Sequence, residues 1–239
     1  MIPKIIHYGW LGDRPKPIER IDRWKKMLPD WEFKEWNESN VDTCKYPFAK
    51  RAYELKKYGP ALDFWRMDFL YEYGGVWLDA DVEVHKDISS FLSYSFFIGY
   101  ENPYALNLGT IGSEPQHSII KKAQEWLVGI QENILDFNII NENRFMDLYV
   151  NRVSINCAML AALRSKAGFI PNGKSVTLKD NIRIEDVSTF TIKTTPDNYI
   201  EHLYEGSWRE HLGISSEDWI QMLQGKKPFK LFWWRKYEL

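Results

Sequence analysis

Cysteine is scarce in this chain of 239 residues, which holds only Cys44 and Cys157. Two cysteines without neighbouring ligand residues exclude a disulfide-stapled scaffold and a cysteine-based metal cluster. Residues 1–7 lack the apolar stretch of a secretory signal, and no apolar run approaches the roughly 18 residues that a membrane helix needs. We therefore expect a cytoplasmic protein with reduced thiols.

An excess of one charge is also missing, since the formal net charge is −2. This balance argues against a nucleic-acid partner bound through overall basicity. Repeats, low-complexity segments and linkers are absent as well, which predicts one domain over residues 1–239. Aromatic side chains, in contrast, are abundant, with 11 Trp, 13 Tyr and 13 Phe. They indicate an aromatic core, or rings that stack on sugars or bases.

Hydrophobic periodicity predicts strands that alternate with helices. The predicted strands cover residues 4–10, 31–36, 76–78, 96–100 and 189–193. The predicted helices cover residues 17–27, 48–58, 61–73, 118–131 and 154–166, and the second of them stops at Gly59 and Pro60. Residues 132–151 are polar and ambiguous. The alternation favours an α/β fold that binds ligands at the carboxyl ends of its strands.

Two carboxylates follow the apolar run at residues 76–78. Asp79 and Asp81 are spaced i, i+2, so both side chains point to the same side if the backbone is extended. Carboxylate oxygens suit Mg²⁺ or Mn²⁺, and proteins often hold Mg²⁺ with one or two carboxylates together with substrate phosphates. The motif therefore predicts a metal site for a phosphorylated substrate; the alternative is a solvated turn after a strand.

Asp63 and Arg66 share one face of the helix that precedes this motif. One interpretation is a surface ion pair worth a few tenths of a kcal/mol. The other is that Asp63 holds a sugar hydroxyl while Arg66 faces a phosphate or the departing oxygen.

Three separated motifs resemble glycosyltransferase family 32, the Asp-x-Asp sugar transferases. They cover residues 2–12, 61–81 and 202–208, in the family's order. The family includes outer-chain mannosyltransferases and bacterial capsule and lipopolysaccharide enzymes, and clostridial glucosylating toxins look similar. The resemblance implies a GT-A fold with a Rossmann-like central sheet, a nucleotide-sugar donor, retention of anomeric configuration, and Mn²⁺ or Mg²⁺ as cofactor.

The resemblance also implies roles for individual residues. Asp81 would be the direct metal ligand, and Asp79 would touch the ribose or reach the metal through water. Asp63 and Arg66 would hold the donor sugar and its scissile oxygen. Trp10 would stack on the nucleotide base, although an indole at the end of a strand also suits a core.

The late motif would complete the donor pocket. His202 is the candidate for the last metal ligand, with Glu205 competing for the role, and a neutral imidazole is an acceptable ligand. Ser207 and Trp208 would close over the diphosphate. Residues 107–109 are expected on the acceptor side.

Residues 226–236 interleave five basic residues with four aromatic ones. Such a tail (residues 226–239) suits an anionic membrane surface, or it docks on the domain. The expected partners are a nucleotide-sugar donor and a glycan acceptor, lipid-linked if the tail binds membrane, with no nucleic acid. The expected location is then the inner face of a membrane.

The donor and the mechanism each have two candidates. We expect a UDP-sugar in preference to GDP-mannose, and front-side substitution in preference to double displacement. Polysaccharide synthesis is the expected role. A non-catalytic nucleotide-sugar binder is one rival, and a haloacid-dehalogenase-type phosphatase, which also carries Asp-x-Asp after a strand, is the other.

Overall fold

Short apolar runs form the strands of one mixed sheet in the computed structural model. The model describes residues 1–132, 140–151, 154–192, 196, 198–205, 215–224 and 226–227. The strands of the main sheet are β1 (Ile5–Gly9), β2 (Glu32–Trp36), β3 (Gly75–Leu78), β5 (Phe96–Asn102), β6 (Ala105–Ser113), β7 (Val176–Leu178) and β8 (Ile182–Glu185). Their order is β2-β1-β3-β6-β5-β8-β7. A separate pair joins β4 (Val82–Val84) to β9 (Ile200–His202).

Strand directions place the carboxyl end of β3 at the centre of one sheet edge. β1 runs parallel to both β2 and β3. β6 runs antiparallel to β3 and to β5, and β8 lies parallel to β5. Residues that follow β1 and β3 therefore emerge at the same edge, where α/β sheets bind ligands.

Helices cover both faces of the sheet. They are α1 (Ile18–Met27), α2 (Pro47–Glu54), α3 (Tyr58–Tyr73), α4 (Ser118–Glu132), α5 (Glu142–Asn151), α6 (Ile155–Ala167), α7 (Val187–Phe190) and α8 (Ser216–Leu223). Side chains alternate along β3, so Trp77 packs into the cluster with α3, α4 and α6, while Val76 and Leu78 pack on the α1 side. Trp24, Trp65 and Trp77 are each at most 1% exposed, which confirms an aromatic core.

Glycines at the end of α3 direct β3 into the sheet. Gly74 and Gly75 have φ of 63° and 96°, a region that L side chains rarely adopt. A Cβ at Gly74 would lie 2.6 Å from Pro115 atoms, and one at Gly75 would lie 2.7 Å from the carbonyl oxygen of Ile5. The helix can therefore stop and turn directly into a buried strand.

Two predicted boundaries are wrong. Gly59 and Pro60 do not end a helix but lie in the first turn of α3, where proline's missing N–H is tolerated. The predicted strand at 189–193 is also wrong, because α7 occupies residues 187–190. The side chain of Asp186 caps α7 by accepting from the Ser188 N–H, which favours a helical turn over the local alternation.

The structure bears on membrane-spanning helices, which the sequence did not predict. Within the described ranges, no helix is both long enough and apolar enough to cross a bilayer. Apart from residues 226–227, the basic and aromatic tail lies outside those ranges.

Candidate active site

The two carboxylates of the Asp-x-Asp motif lie on a turn and not on extended backbone. The Val82 N–H donates to the Asp79 carbonyl oxygen at 3.1 Å, which closes the turn between β3 and β4. The Asp79 N–H in turn donates to the Gly109 carbonyl oxygen of β6 at 2.9 Å. The predicted backbone is thus wrong, but the turn still brings ligand atoms of Asp79 and Asp81 within 4.8 Å of each other.

Asp79 is held by two donors from the fold. The Trp77 Nε1–H donates to Asp79 Oδ1 at 2.7 Å, and Arg66 Nη2 donates to the same oxygen at 2.9 Å. The Arg66 guanidinium also lies 4.9 Å from the Trp77 ring centroid, in cation–π range. Because both described hydrogen bonds fall on Oδ1, the second carboxylate oxygen is the one available to a cation.

Asp63 and Arg66 form a buried pair, which excludes the surface interpretation. Their side chains are 7% and 4% exposed, and Asp63 Oδ1 lies 3.0 Å from Arg66 Nη2. The Tyr149 hydroxyl of α5 donates to Asp63 Oδ2 at 2.7 Å. Burial raises the pKa of Asp63 to about 6, although Arg66 and Tyr149 both oppose that rise.

Arg66 is tied to the adjoining strand as well. Its Nη1 donates to the Leu108 carbonyl oxygen at 2.7 Å. Its Nε is buried and has no hydrogen-bond partner among the described residues. A buried donor without a partner costs about 1–3 kcal/mol, so this atom is suited to an oxygen supplied by a ligand.

His202 reaches the motif through the pairing of β4 with β9, in which Val82 lies opposite His202. His202 Nε2 lies 3.1 Å from Asp81 Oδ1. Burial disfavours charge on both groups. Even so, the attraction between them lowers the pKa of Asp81 to about 2 and raises that of His202 above its usual value.

Asn107 fixes the orientation of the imidazole. Its Nδ2 donates to the Phe190 carbonyl oxygen at 2.7 Å and to Thr191 Oγ1 at 2.8 Å, so its Oδ1 faces His202 Nδ1 at 3.2 Å. A proton on Nδ1 leaves Nε2 as the atom that can bind a metal. Asn107 is 1% exposed and supports His202, while its place on the acceptor side stays a prediction.

The three predicted metal ligands lie together. Asp79, Asp81 and His202 each offer one ligand atom within 4.8 Å of the others, a donor set that fits a divalent cation. The carboxylate of Glu205 points elsewhere, because it pairs with Arg20 at 2.7 Å. Only its backbone N–H contacts the motif, donating to Asp81 Oδ2 at 2.8 Å.

The structure describes one of the three other residues predicted to bind the nucleotide sugar. Trp10 follows β1 at the edge where Asp79 follows β3, is half-buried, and donates from Nε1 to the Arg14 carbonyl oxygen at 3.0 Å. Its stacking on a base stays a prediction. Ser207 and Trp208 lie outside the described residues.

Sequence reasoning missed Tyr149 and gave Trp77 no role. Tyr149 falls in the segment that was left ambiguous, although the apolar residues Phe145, Met146, Leu148 and Tyr149 show helical spacing there. Trp77 lies in β3 two residues before Asp79, and this spacing was the available signal that the two side chains could meet.

Comparison with known proteins places part of the chain near a family with an Asp-x-Asp motif. Residues 16–98 match the family described as a glycosyltransferase sugar-binding region containing a DXD motif. Inositol phosphoceramide mannosyltransferase 3 of Schizosaccharomyces pombe is 26% identical over 130 residues, or 50% of this chain and 35% of that protein. An uncharacterized glycosyltransferase of Acanthamoeba polyphaga mimivirus is 26% identical over 234 residues, or 90% of this chain and 86% of that protein.

Among solved structures, the PaToxG glycosyltransferase superposes with a TM-score of 0.52 at 18% identity, covering 69% of this chain and 70% of that one. The fold is that of the GT-A glycosyltransferases, as predicted. The match over residues 16–98 confirms the resemblance to the Asp-x-Asp sugar transferases. The phosphatase alternative is wrong. The match spans about a third of the yeast relative's length.

Proposed function

We propose that this chain is a metal-dependent, retaining hexosyltransferase that uses a nucleotide-diphosphate sugar and transfers the sugar to a glycan. One observation carries the proposal. Asp79, Asp81 and His202 place three ligand atoms within 4.8 Å of one another, next to the buried pair of Asp63 and Arg66. A cation site beside a buried arginine suits a diphosphate that must depart with negative charge.

Asp79, Asp81 and His202 would hold the cation, with Mn²⁺ or Mg²⁺ as candidates. A bound cation would neutralise charge on the diphosphate leaving group. Mg²⁺ prefers an all-oxygen shell, so the imidazole of His202 favours Mn²⁺. Asp79 would bind through Oδ2 or through water, since Trp77 and Arg66 hold its Oδ1.

Arg66 and Asp63 would orient the donor sugar. The Nε of Arg66, which has no partner in the described part of the chain, would donate to an oxygen of the nucleotide sugar, and the buried guanidinium would stabilise the departing phosphate oxygen. Asp63 would accept from a sugar hydroxyl. Its position is fixed from both sides, by Arg66 at Oδ1 and by Tyr149 at Oδ2.

Front-side substitution is the mechanism that we propose. Both oxygens of Asp63 are already engaged, which makes it a poor nucleophile toward the anomeric carbon. In a front-side reaction, the departing phosphate oxygen accepts the acceptor's proton and no carboxylate forms a bond to the sugar. Mass spectrometry of enzyme with donor alone tests this step, because a trapped glycosyl-enzyme would support double displacement instead.

The acceptor is proposed to be a glycan attached to lipid. The yeast relative is named as a mannosyltransferase of inositol phosphoceramide, which is a lipid. This supports a lipid-linked acceptor, and a UDP-sugar stays the proposed donor in preference to GDP-mannose. Capsule, lipopolysaccharide or exopolysaccharide synthesis at the inner membrane face is the proposed role. Flotation with liposomes, comparing the full chain with one ending at Gly225, tests the contribution of the tail.

The test of the function is a screen of nucleotide sugars. Thermal shift with Mn²⁺ identifies the donor, since a ligand at 100 times its Kd stabilises the fold by about 2.7 kcal/mol. Nucleotide release is then measured with the identified donor, with and without a chelator. Metal-dependent release supports the proposal. Binding without any release would favour the non-catalytic alternative, and the absence of both would overturn the proposal.

A further inference from the structure

Arg20 lies where three elements meet. It belongs to the first turn of α1, and its side chain is only 12% exposed. Helix α1 packs against β4, with the Trp24 Nε1–H donating to the Val82 carbonyl oxygen at 3.0 Å. Arg20 therefore projects from a fixed helix toward the turn that carries the Asp-x-Asp motif.

One guanidinium contacts both segments that supply the metal ligands. Arg20 Nη1 donates to the Ala80 carbonyl oxygen at 2.7 Å, between Asp79 and Asp81. Arg20 Nη2 and Nη1 donate to the two carboxylate oxygens of Glu205 at 2.7 and 3.1 Å. Glu205 follows His202 by three residues. Planar, two-pronged recognition of a carboxylate is the geometry that arginine provides and lysine does not.

We propose that Arg20 is a positioning residue that holds the Asp-x-Asp turn and the segment after β9 in register, so that Asp79, Asp81 and His202 converge. The inference rests on the proposed function, because it takes these three side chains as the metal ligands. Among the described residues, the side chain of Arg20 hydrogen-bonds to Ala80, Glu83 and Glu205 and to none of the proposed ligand atoms.

Besides the pairing of β4 with β9, two hydrogen bonds connect the turn to the segment after β9, and both end on Asp81, a proposed metal ligand. The Glu205 N–H donates to Asp81 Oδ2, and the Leu203 N–H donates to the Asp81 carbonyl oxygen at 2.8 Å. If Asp81 bound a cation, the first of these bonds would compete with the metal. The contacts of Arg20 use the Ala80 carbonyl oxygen and the Glu205 carboxylate, which are not among the proposed ligand atoms.

Arg23 is a matched control. It lies one turn further along α1, is 52% exposed, and contacts the same Glu83 that Arg20 contacts, with Nε at 3.2 Å from Oε2. Its described hydrogen bonds do not reach Ala80 or Glu205. Replacing Arg23 by Gln therefore removes an equal charge from the same helix while leaving the proposed tie intact.

The experiment compares Arg20→Gln, Glu205→Gln and Arg23→Gln in metal-free protein. Amide hydrogen exchange at Leu203 and Glu205 reports local opening of the segment. We expect exchange there to accelerate about five- to tenfold in Arg20→Gln, because a charged hydrogen bond is lost. Arg23→Gln stays within about twofold of wild type, since exposed pairs contribute little. Glu205→Gln shows the same acceleration as Arg20→Gln, and the double variant adds little more.

Calorimetry with Mn²⁺ alone is the second readout. Arg20→Gln is expected to raise the Mn²⁺ Kd about tenfold, within the range for residues that orient metal ligands. At saturating Mn²⁺, kcat stays near the wild-type value. Equal behaviour of the Arg20 and Arg23 variants in exchange and in Kd would overturn the proposal. If exchange accelerated in Arg20→Gln but the wild-type protein bound no Mn²⁺, the contact of Arg20 with Ala80 and Glu205 would be supported and the proposed metal site would be overturned.

Discussion

Replacing Tyr149 by Phe removes one hydroxyl from the buried contact between α5 and α3. That hydroxyl donates to Asp63 Oδ2 at 2.7 Å, while Arg66 contacts the other carboxylate oxygen at 3.0 Å. Burial raises the pKa of Tyr149 well above its usual value, so the hydroxyl keeps its proton at any working pH. The substitution therefore deletes a donor to a buried carboxylate with little change in volume.

The magnitude follows from the charge on the acceptor. A hydrogen bond to a charged group contributes about 1.5–3 kcal/mol, whereas one to a neutral group contributes about 0.5–1.5 kcal/mol. The Tyr149 bond opposes the burial that raises the pKa of Asp63 to about 6. Without the bond that pKa rises further, by about one to two units, since one unit corresponds to 1.36 kcal/mol.

The sign of the stability effect is fixed by linkage. The folded-state pKa of Asp63 lies above its unfolded value, so the folded state binds the extra proton and stability is lost as pH rises through that pKa. Tyr149→Phe widens the difference between the folded-state and unfolded-state pKa of Asp63. We expect Tyr149→Phe to lower the free energy of unfolding by about 2–3 kcal/mol near pH 7.5 but by only about 1 kcal/mol near pH 4.5.

Urea denaturation at the two pH values measures the difference, and the pH profile of kcat/KM gives an independent readout. The acid limb of wild type is expected near pH 6, and that of Tyr149→Phe about one unit or more higher. Tyr46→Phe is the matched control, because it removes a hydroxyl from Asp68 of the same helix without touching Asp63. The proposed contact between Tyr149 and ionised Asp63 would be refuted if Tyr149→Phe lost the same stability at both pH values and the acid limb of its kcat/KM profile did not shift.

Three further predictions concern other positions. Burial lowers the pKa of His7 to about 4, so the unfolded state binds an extra proton between about pH 6.5 and pH 4. The free energy of unfolding therefore falls by up to about 3 kcal/mol as the pH drops through that range. In His7→Gln, the slope of the unfolding free energy against pH should flatten there. Gly74→Ala should lower the stability in thermal unfolding by more than about 1 kcal/mol, because φ is positive and the new Cβ would clash with Pro115. Gly129→Ala is the control in α4, where a Cβ meets open space, and should be neutral or stabilising. Trp77→Phe removes a donor from Asp79 and should cost about 1–3 kcal/mol of transition-state stabilisation, read as a fall in kcat/KM; unchanged kinetics would contradict the contact.

The first third of the fold was predictable because its signals are local. The apolar runs before β3 and the glycines at 74 and 75 mark a helix end and a buried strand within a few residues. The α/β class and the strand at residues 76–78 that leads into Asp79 followed from the same pattern, and both are confirmed. The turn at residues 79–81 was not predictable, because the Val82 N–H that closes it belongs to β4, a three-residue strand too short for a pattern.

The site required contacts between distant parts of the chain. His202 meets Asp81 only because β9 pairs with β4, and no local pattern specifies that pairing. Family resemblance pointed to His202, while Tyr149, Asn107 and Arg20 carried no comparable signal. Each of them acts through a contact more than 55 residues away in sequence. Such supporting residues become visible only when the elements that carry them are packed together.

The central claim is that Asp81 helps to hold a metal against a departing nucleoside diphosphate. The most direct measurement is nucleotide release from the identified donor as a function of Mn²⁺, comparing wild type, Asp81→Asn and the exposed control Asp30→Asn. We predict release that requires Mn²⁺, is retained in Asp30→Asn, and falls by about 100-fold or more in Asp81→Asn, because several kcal/mol of charge stabilisation are lost. Release that persists in chelator at the wild-type rate, or that survives in Asp81→Asn, would contradict the claim.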